Sequence, residues 1–139
     1  KPLFGWQGAN DRVRMAVIGM GGRSARVFDS FTRFEDVQFT MGCEVNTNRA
    51  TGFQNNRPLA QPLTVVGDYR RVLDRNDIDA IAIATPNHTH FDIAHKAVLA
   101  GFNVVCDKPM TFDLAQAEAV ADLIGAEGHH LIQHRAQAL

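Results

Sequence analysis

The stretch whose residue types and spacing bear most directly on chemistry is Gly19-Met20-Gly21-Gly22-Arg23-Ser24. A glycine turn that opens a helix presents free backbone N–H groups and the positive end of the helix dipole, a surface that binds phosphate without a charged side chain. Gly19 permits the tight turn, Gly21 lets the backbone approach a pyrophosphate, and the helix begins near Gly22. Ser24 takes the third small position in place of glycine, still small enough for a helix to pack on a strand. Met20, Arg23 and Ser24 therefore join the three glycines as candidate cofactor-binding residues. Standing alone, the same turn also fits a strand-to-helix connection with no ligand.

Glu44 lies about twenty residues beyond the turn, where an acidic side chain accepts hydrogen bonds from the ribose hydroxyls of an adenosine. Its charge would repel a 2′-phosphate, so the expectation is NAD in preference to NADP, with Arg23 and Arg49 as the residues that could reverse it. Lys108, in Cys106-Asp107-Lys108-Pro109, stands at the end of an apolar run and could reach into a ligand crevice. The spacing His88-x-His90, with His95 beyond, suggests metal binding, but no cysteine or carboxylate completes a ligand set and no metal is expected.

These residues need a scaffold, and the hydrophobic pattern supplies one. Val13 to Ile18 is apolar with little alternation, as in a strand buried on both faces of a parallel sheet. A first helix is expected over about Ser24 to Phe34, with Val27, Phe28, Phe31 and Phe34 as its core stripe. A second strand follows over Val37 to Glu44. Next come a short helix over Asn46 to Asn56, a loop over Arg57 to Pro62, a third strand at Thr64 to Val66, and a small helix through Leu73 capped by Asp68. Ala80 to Ala84 is the fourth strand, and Pro86 fixes a rigid turn into a helix that buries Ile93, Ala94, Ala97 and Val98. Asn103 to Asp107 is the fifth strand. A last helix starts at Thr111 as N-cap and carries Leu114, Ala117, Val120, Ala121 and Ile124 on one face, before a sixth strand at Leu131-Ile132-Gln133. Alternating strands and helices describe an α/β fold, a doubly wound parallel sheet of order 3-2-1-4-5-6, with ligands beyond the carboxyl ends of the strands. In that order Cys43 and Cys106 stand about 14 Å apart, too far for a disulfide, so both are expected as free thiols.

The chain has 139 residues, 45% of them hydrophobic and 21% charged, which suits one globular domain and argues against disorder. A net charge of -1 gives no electrostatic footprint for nucleic acid. No apolar run approaches the roughly 18 residues of a membrane span. Residues 1–11 read as an extended arm anchored by Leu3, Phe4 and Trp6, residues 12–134 as the domain, and residues 135–139 as a tail. A cytoplasmic location is expected, with export to the periplasm left open because the numbering starts at Lys1 and a leader could have been removed.

The segments AVIGMGGRS, DYRRVLDRNDIDAIAIATPNHTH and GFNVVCDKPMT, with Glu44 between them, resemble the glucose-fructose oxidoreductase and inositol dehydrogenase family, Gfo/Idh/MocA. The resemblance runs from Val13 to about Gly128 and implies an N-terminal Rossmann domain that binds NAD or NADP. By position, Gly19 and Gly21 match the pyrophosphate turn and Glu44 the ribose contact. Thr85, Pro86, Asn87 and His90 match the segment beside the nicotinamide half of the cofactor. Asp107 and Lys108 fall on the family's acidic-Lys-Pro motif, with Asp107 where most members have glutamate, and Lys108 matches the catalytic lysine that hydrogen-bonds the reacting hydroxyl. The implied activity is hydride transfer between nicotinamide and a sugar or cyclitol. The family's second α+β domain, which carries other substrate residues and usually an oligomer interface, should begin where this chain ends. The sugar or cyclitol would therefore bind only with that domain present, this stretch alone should be inactive, and a homo-oligomer is compatible with the family. A dinucleotide-binding module without catalysis, or half of an NAD-dependent glycoside hydrolase, are the alternatives.

Overall fold

The computed structural model describes residues 12–57, 59–127 and 131–134, so the expected arm and tail lie outside the described residues. Six strands run in the order β1 (Val13–Ile18), β2 (Val37–Cys43), β3 (Thr64–Val66), β4 (Ala80–Ile83), β5 (Asn103–Asp107) and β6 (Leu131–His134). They form one parallel sheet with the spatial order β3-β2-β1-β4-β5-β6, as the pattern of apolar runs predicts. Between them lie α1 (Gly22–Phe31), α2 (Thr47–Asn55), α3 (Arg70–Leu73), α4 (His90–Leu99) and α5 (Leu114–Glu127).

Both faces of the sheet are covered, which explains why its central strands show no polar alternation. Met15 and Val17 of β1 face a core with Val27 and Phe28 of α1 and Ala50 and Phe53 of α2. Ala16 and Ile18 face the other core, with Val72 of α3 and Ile93, Ala94, Ala97 and Val98 of α4. In the first core the Phe28 ring lies 4.3 Å from that of Phe39 and meets Phe53 edge-on at 5.3 Å. The β1–β2 register passes from Met15↔Phe39 to Ala16↔Met41, skipping Thr40, and so brings Cys43 level with Ile18 at the carboxyl ends of the two strands.

Three local expectations fail. The first helix stops at Phe31, with Thr32 as its C-cap, so Phe34 falls in the turn before β2 and is 59% exposed instead of completing the core stripe. Thr111 does not cap α5. Asp113 does, accepting the Gln116 N–H at 2.8 Å, while the Gln116 side chain accepts the Phe112 N–H at 3.0 Å. Of the expected face Val120 is buried and Ala117 and Ile124 are partly buried, joined by Leu123, whereas Leu114 and Ala121 are exposed. The cap of α3 is Tyr69, although Asp68 still accepts the Arg70 N–H at 3.0 Å. By contrast, Asn46 caps α2 by accepting the Arg49 N–H.

Candidate functional site

The carboxyl ends of the central strands are tied to one another. The Gly19 N–H donates to Cys43 O at 2.8 Å, the Ala84 N–H to Ile18 O at 2.9 Å, and the Glu44 N–H to Val66 O at 3.0 Å. Above this edge opens a cavity of about 810 Å³, large enough for a sizeable ligand. Gly19, Gly21, Gly22, Arg23, Glu44, Thr85 and Pro86 line it.

The glycines have different reasons to be glycine. Gly19 has φ +86°, and a Cβ there would sit 2.8 Å from the Ala84 carbonyl oxygen. The fold itself therefore demands glycine at this position. Gly21 has an ordinary φ of -87°, and a Cβ on it would meet only the Arg49 Cδ, at 4.0 Å. Gly22 has no neighbour within that range. The space over these two is the cavity, a cradle that side chains would fill and a diphosphate can enter. The first helical bond of α1 joins Ala25 N to Gly21 O, which leaves the N–H groups from Gly21 to Ser24 for such a ligand, those of Gly19 and Met20 being bonded within the fold. Ser24 is buried, and its hydroxyl donates to Gly21 O at 2.6 Å, closing the first turn where a glycine could not.

Met20 makes no side-chain approach to the cavity. It is buried against β2, where Gly42 makes room, since a Cβ on Gly42 would lie 2.8 Å from the Met20 sulfur. Its N–H donates to Glu44 Oε2 at 3.0 Å, and the Asn46 N–H donates to Oε1 at 2.9 Å. Glu44 thus fastens the glycine turn to the end of β2. Each carboxylate oxygen keeps a lone pair for a further donor such as a ribose hydroxyl.

The Arg23 guanidinium is engaged by the carboxylate that ends β5. Its Nε lies 2.5 Å from Asp107 Oδ2 and its Nη2 lies 3.0 Å from Oδ1, a bidentate pair that raises the arginine pKa chiefly through the hydrogen bond. Of the two arginines that could favour a 2′-phosphate, only Arg49 faces the cavity with its guanidinium outside any ion pair among the described residues.

Asn87, His90, Asp107 and Lys108 lie off the cavity wall. Asn87 is exposed on a 3-10 turn spanning Asn87–Thr89. His90 is 1% exposed, with Nδ1 2.7 Å from Pro109 O and Nε2 2.8 Å from Thr85 O, so it joins the loop after β4 to the loop after β5. Lys108 is exposed immediately after the buried Asp107, and its peptide bond to Pro109 is cis. No group of three or more potential metal ligands occurs among the described residues.

Sequence reasoning missed the far wall, Gly67, Asp68, Tyr69 and Asp92. The rule that singled out the ends of β4 and β5 applies equally to β3, which ends at Val66. On that rim the Tyr69 hydroxyl donates to Asp92 at 3.0 Å, and Lys96 donates to both at 3.1 and 2.9 Å. The bond from Lys96 holds the Asp92 carboxyl below the ordinary carboxylate range.

An open parallel sheet, a glycine turn at the carboxyl end of its first strand and an acidic residue closing its second define a dinucleotide-binding domain. Residues 13–134 match the model of the GFO_IDH_MocA oxidoreductase family, NAD-binding Rossmann fold. The chain belongs to that family and is its NAD(P)-binding domain. It is 30% identical to a glycosyl hydrolase family 109 protein of Streptomyces coelicolor, over 89% of this chain and 28% of that protein. To inositol 2-dehydrogenase 1 of Paenarthrobacter aurescens it is 31% identical, over 87% of this chain and 35% of the other. A 3-ketoreductase from Actinomadura kijaniata, crystallised with NADP and TDP-benzene, superposes with a TM-score of 0.78 at 25% identity, covering 88% of this chain and 37% of that one. The chain thus spans between 28% and 37% of the length of these relatives. No helix among the described residues is long and apolar enough to cross a membrane.

Proposed function

We propose that this domain holds NAD for hydride transfer to or from a hydroxyl-bearing carbon of a sugar or cyclitol, in a protein that completes the substrate site with further residues. The observation that carries the reading is the geometry of the turn, in which the open Gly21 and Gly22 lie beside a Glu44 whose two oxygens keep free lone pairs. The turn and α1 would receive the diphosphate, Glu44 the adenosine ribose, and Thr85 and Pro86 the nicotinamide half. Bound there, nicotinamide would supply the hydride acceptor or donor.

The chain's own contribution to the reaction is Lys108. An ammonium beside the reacting oxygen stabilises the negative charge that builds as hydride leaves and can pass a proton to or from that oxygen. His90 and Asp107 act behind it, as the groups that fix the segments on either side. The dehydrogenase and ketoreductase names of two relatives support a sugar-like or cyclitol substrate. The glycosyl hydrolase name of a third favours one other outcome, transient oxidation followed by net hydrolysis.

Calorimetric titration with NAD and NADP tests the cofactor reading, and equal affinity for the two would refute the preference. In the protein that contains the domain, Lys108→Ala should lower turnover about 100-fold with little change in NAD affinity. Normal turnover would remove Lys108 from the reaction. Accumulation of NADH during substrate consumption marks a dehydrogenase, whereas release of sugar without net NADH marks the hydrolase.

A further inference from the structure

Tyr69, the one tyrosine of the chain, stands outside the contacts assigned to the diphosphate and the ribose. It caps α3, lines the cavity beside Gly67 and packs against the core that holds Val72 and Ile93. Its hydroxyl donates to Asp92 Oδ2 at 3.0 Å and accepts from Lys96 Nζ at 3.1 Å, so two residues of α4 hold the far end of a side chain rooted at the start of α3. A phenol fixed at both ends has its ring orientation set before any ligand arrives.

The sheet order decides which part of a dinucleotide lies on that side. The glycine turn follows β1, Glu44 follows the neighbouring β2, and Gly67 and Tyr69 follow β3, which lies beyond β2. The Glu44 N–H donates to Val66 O at 3.0 Å, so the ends of β2 and β3 are tied together. A dinucleotide with its diphosphate on the turn and its ribose at Glu44 carries its base onward over the end of β3, while its other half runs the opposite way over β4. The charged groups of that wall are already matched to one another: Asp68 accepts from the backbone and the guanidinium of Arg70, and Asp92 accepts from Lys96. Val45, one residue past Glu44, lines the same cavity with 85% of its surface exposed.

We propose that the base of the cofactor binds by stacking on the Tyr69 ring, with Val45 adding apolar contact and with no hydrogen-bonded reading of the base edge. The inference rests on the reading of the turn and Glu44 as the diphosphate and ribose sites. Every base has a π face, so an aromatic platform holds a base whatever substituents its edge carries. The site therefore accepts a purine with oxygen at position 6 as well as adenine. Asp92 and Lys96 are positioning residues for the ring.

Because the chain has one tyrosine, tyrosine-selective isotope labelling reports the Tyr69 ring alone in an NMR spectrum. Saturation with NAD should move the ring proton resonances upfield through the ring current of the stacked base. ADP-ribose, which lacks nicotinamide, should move them equally. In calorimetric titrations nicotinamide hypoxanthine dinucleotide should bind within about 3-fold of NAD, Tyr69→Leu should lose about 10-fold or more in NAD affinity, and Tyr69→Phe, which keeps the ring, should lose less than about 3-fold.

No upfield shift at saturating NAD, or a shift with NAD that ADP-ribose fails to reproduce, overturns the proposal. Binding of the hypoxanthine dinucleotide about 10-fold or more weaker than NAD, or equal losses in Tyr69→Phe and Tyr69→Leu, also overturns it. The spectra and the hypoxanthine titration use the unmodified chain, so they decide the matter should Tyr69→Leu fail to fold. NAD binding without the ring shift refutes this inference alone, whereas absence of NAD binding refutes the cofactor reading and this inference with it.

Discussion

Replacing Gly19 and Gly21 one at a time with alanine should separate the glycine the fold needs from the glycine the ligand needs. At Gly19 an L-residue must adopt φ +86°, which costs roughly 1–2 kcal/mol. Its Cβ would also stand 2.8 Å from the oxygen and 2.9 Å from the carbon of the Ala84 carbonyl. Those are backbone atoms at the end of a buried strand and cannot rotate aside, so the end of β4 must shift. An overpacking cost of about 1–3 kcal/mol adds to the strain. Gly19→Ala should therefore destabilise the protein by about 3 kcal/mol, or about 10 °C in Tm. Gly21 has an ordinary φ and no atom closer than 4.0 Å to an added Cβ. There alanine loses some N-cap preference but restricts the unfolded chain, two effects of a few tenths of a kcal/mol each that oppose one another. Gly21→Ala should unfold in urea within about 1 kcal/mol of wild type. Its methyl group occupies the space over the turn, so calorimetry should show NAD affinity lower by about 10-fold or more, which is about 1.4 kcal/mol. A wild-type melting curve for Gly19→Ala, or unchanged NAD affinity in Gly21→Ala, would refute the reasoning.

Glu44→Gln replaces one of two carboxylate acceptors by an amide NH₂ that faces a backbone N–H, so urea unfolding should show a loss of about 2 kcal/mol. The same variant removes the negative charge at the ribose end, and its NAD-to-NADP affinity ratio should fall about 10-fold; a ratio that stays at the wild-type value would count against Glu44 as the selector. Burial pushes the Cys43 thiol up to about 11 and the Cys106 thiol up to about 12, so at pH 8 thiolate is about one part in a thousand or less. A disulfide reagent should label both slowly in the native protein and at once in urea, and rapid native labelling would contradict that burial. Because both thiols are held neutral above their unfolded value near 9.0, their contribution to stability is complete below that pH. It should be lost as pH rises towards 11 and 12, at up to about 1.4 kcal/mol per pH unit for each thiol, and denaturation midpoints measured across that window check the sign.

The sheet was legible because its signals are local. Strands buried on both faces read as short apolar runs, and the bounds of β3 and β5 agree with the runs that predicted them. Once the runs are counted, the parallel order follows from the alternation of strands and helices. Helix ends were less legible, since periodicity says which residues share a face but not where the chain leaves it. Phe34 kept the spacing of Phe28 and Phe31 after α1 had already ended, and Asp113 with Gln116 was a capping signal that lay unread beside Thr111.

The sequence by itself determined where the glycine turn and the order of the sheet lie, because glycine chemistry and the alternation of elements are written in neighbouring residues. Gly19 could be assigned its turn, and Glu44 its place at the end of β2, by counting. Only the tertiary structure decided where the side chains point. It sent Met20 into the core over Gly42, set His90 between the carbonyls of Thr85 and Pro109, and joined Arg23 to Asp107 across 84 residues. Each of those choices is made by a partner distant in the chain. A hydrogen bond or an ion pair fixes a side chain only when the fold has brought donor and acceptor within about 3 Å, and no spacing in the sequence records that distance.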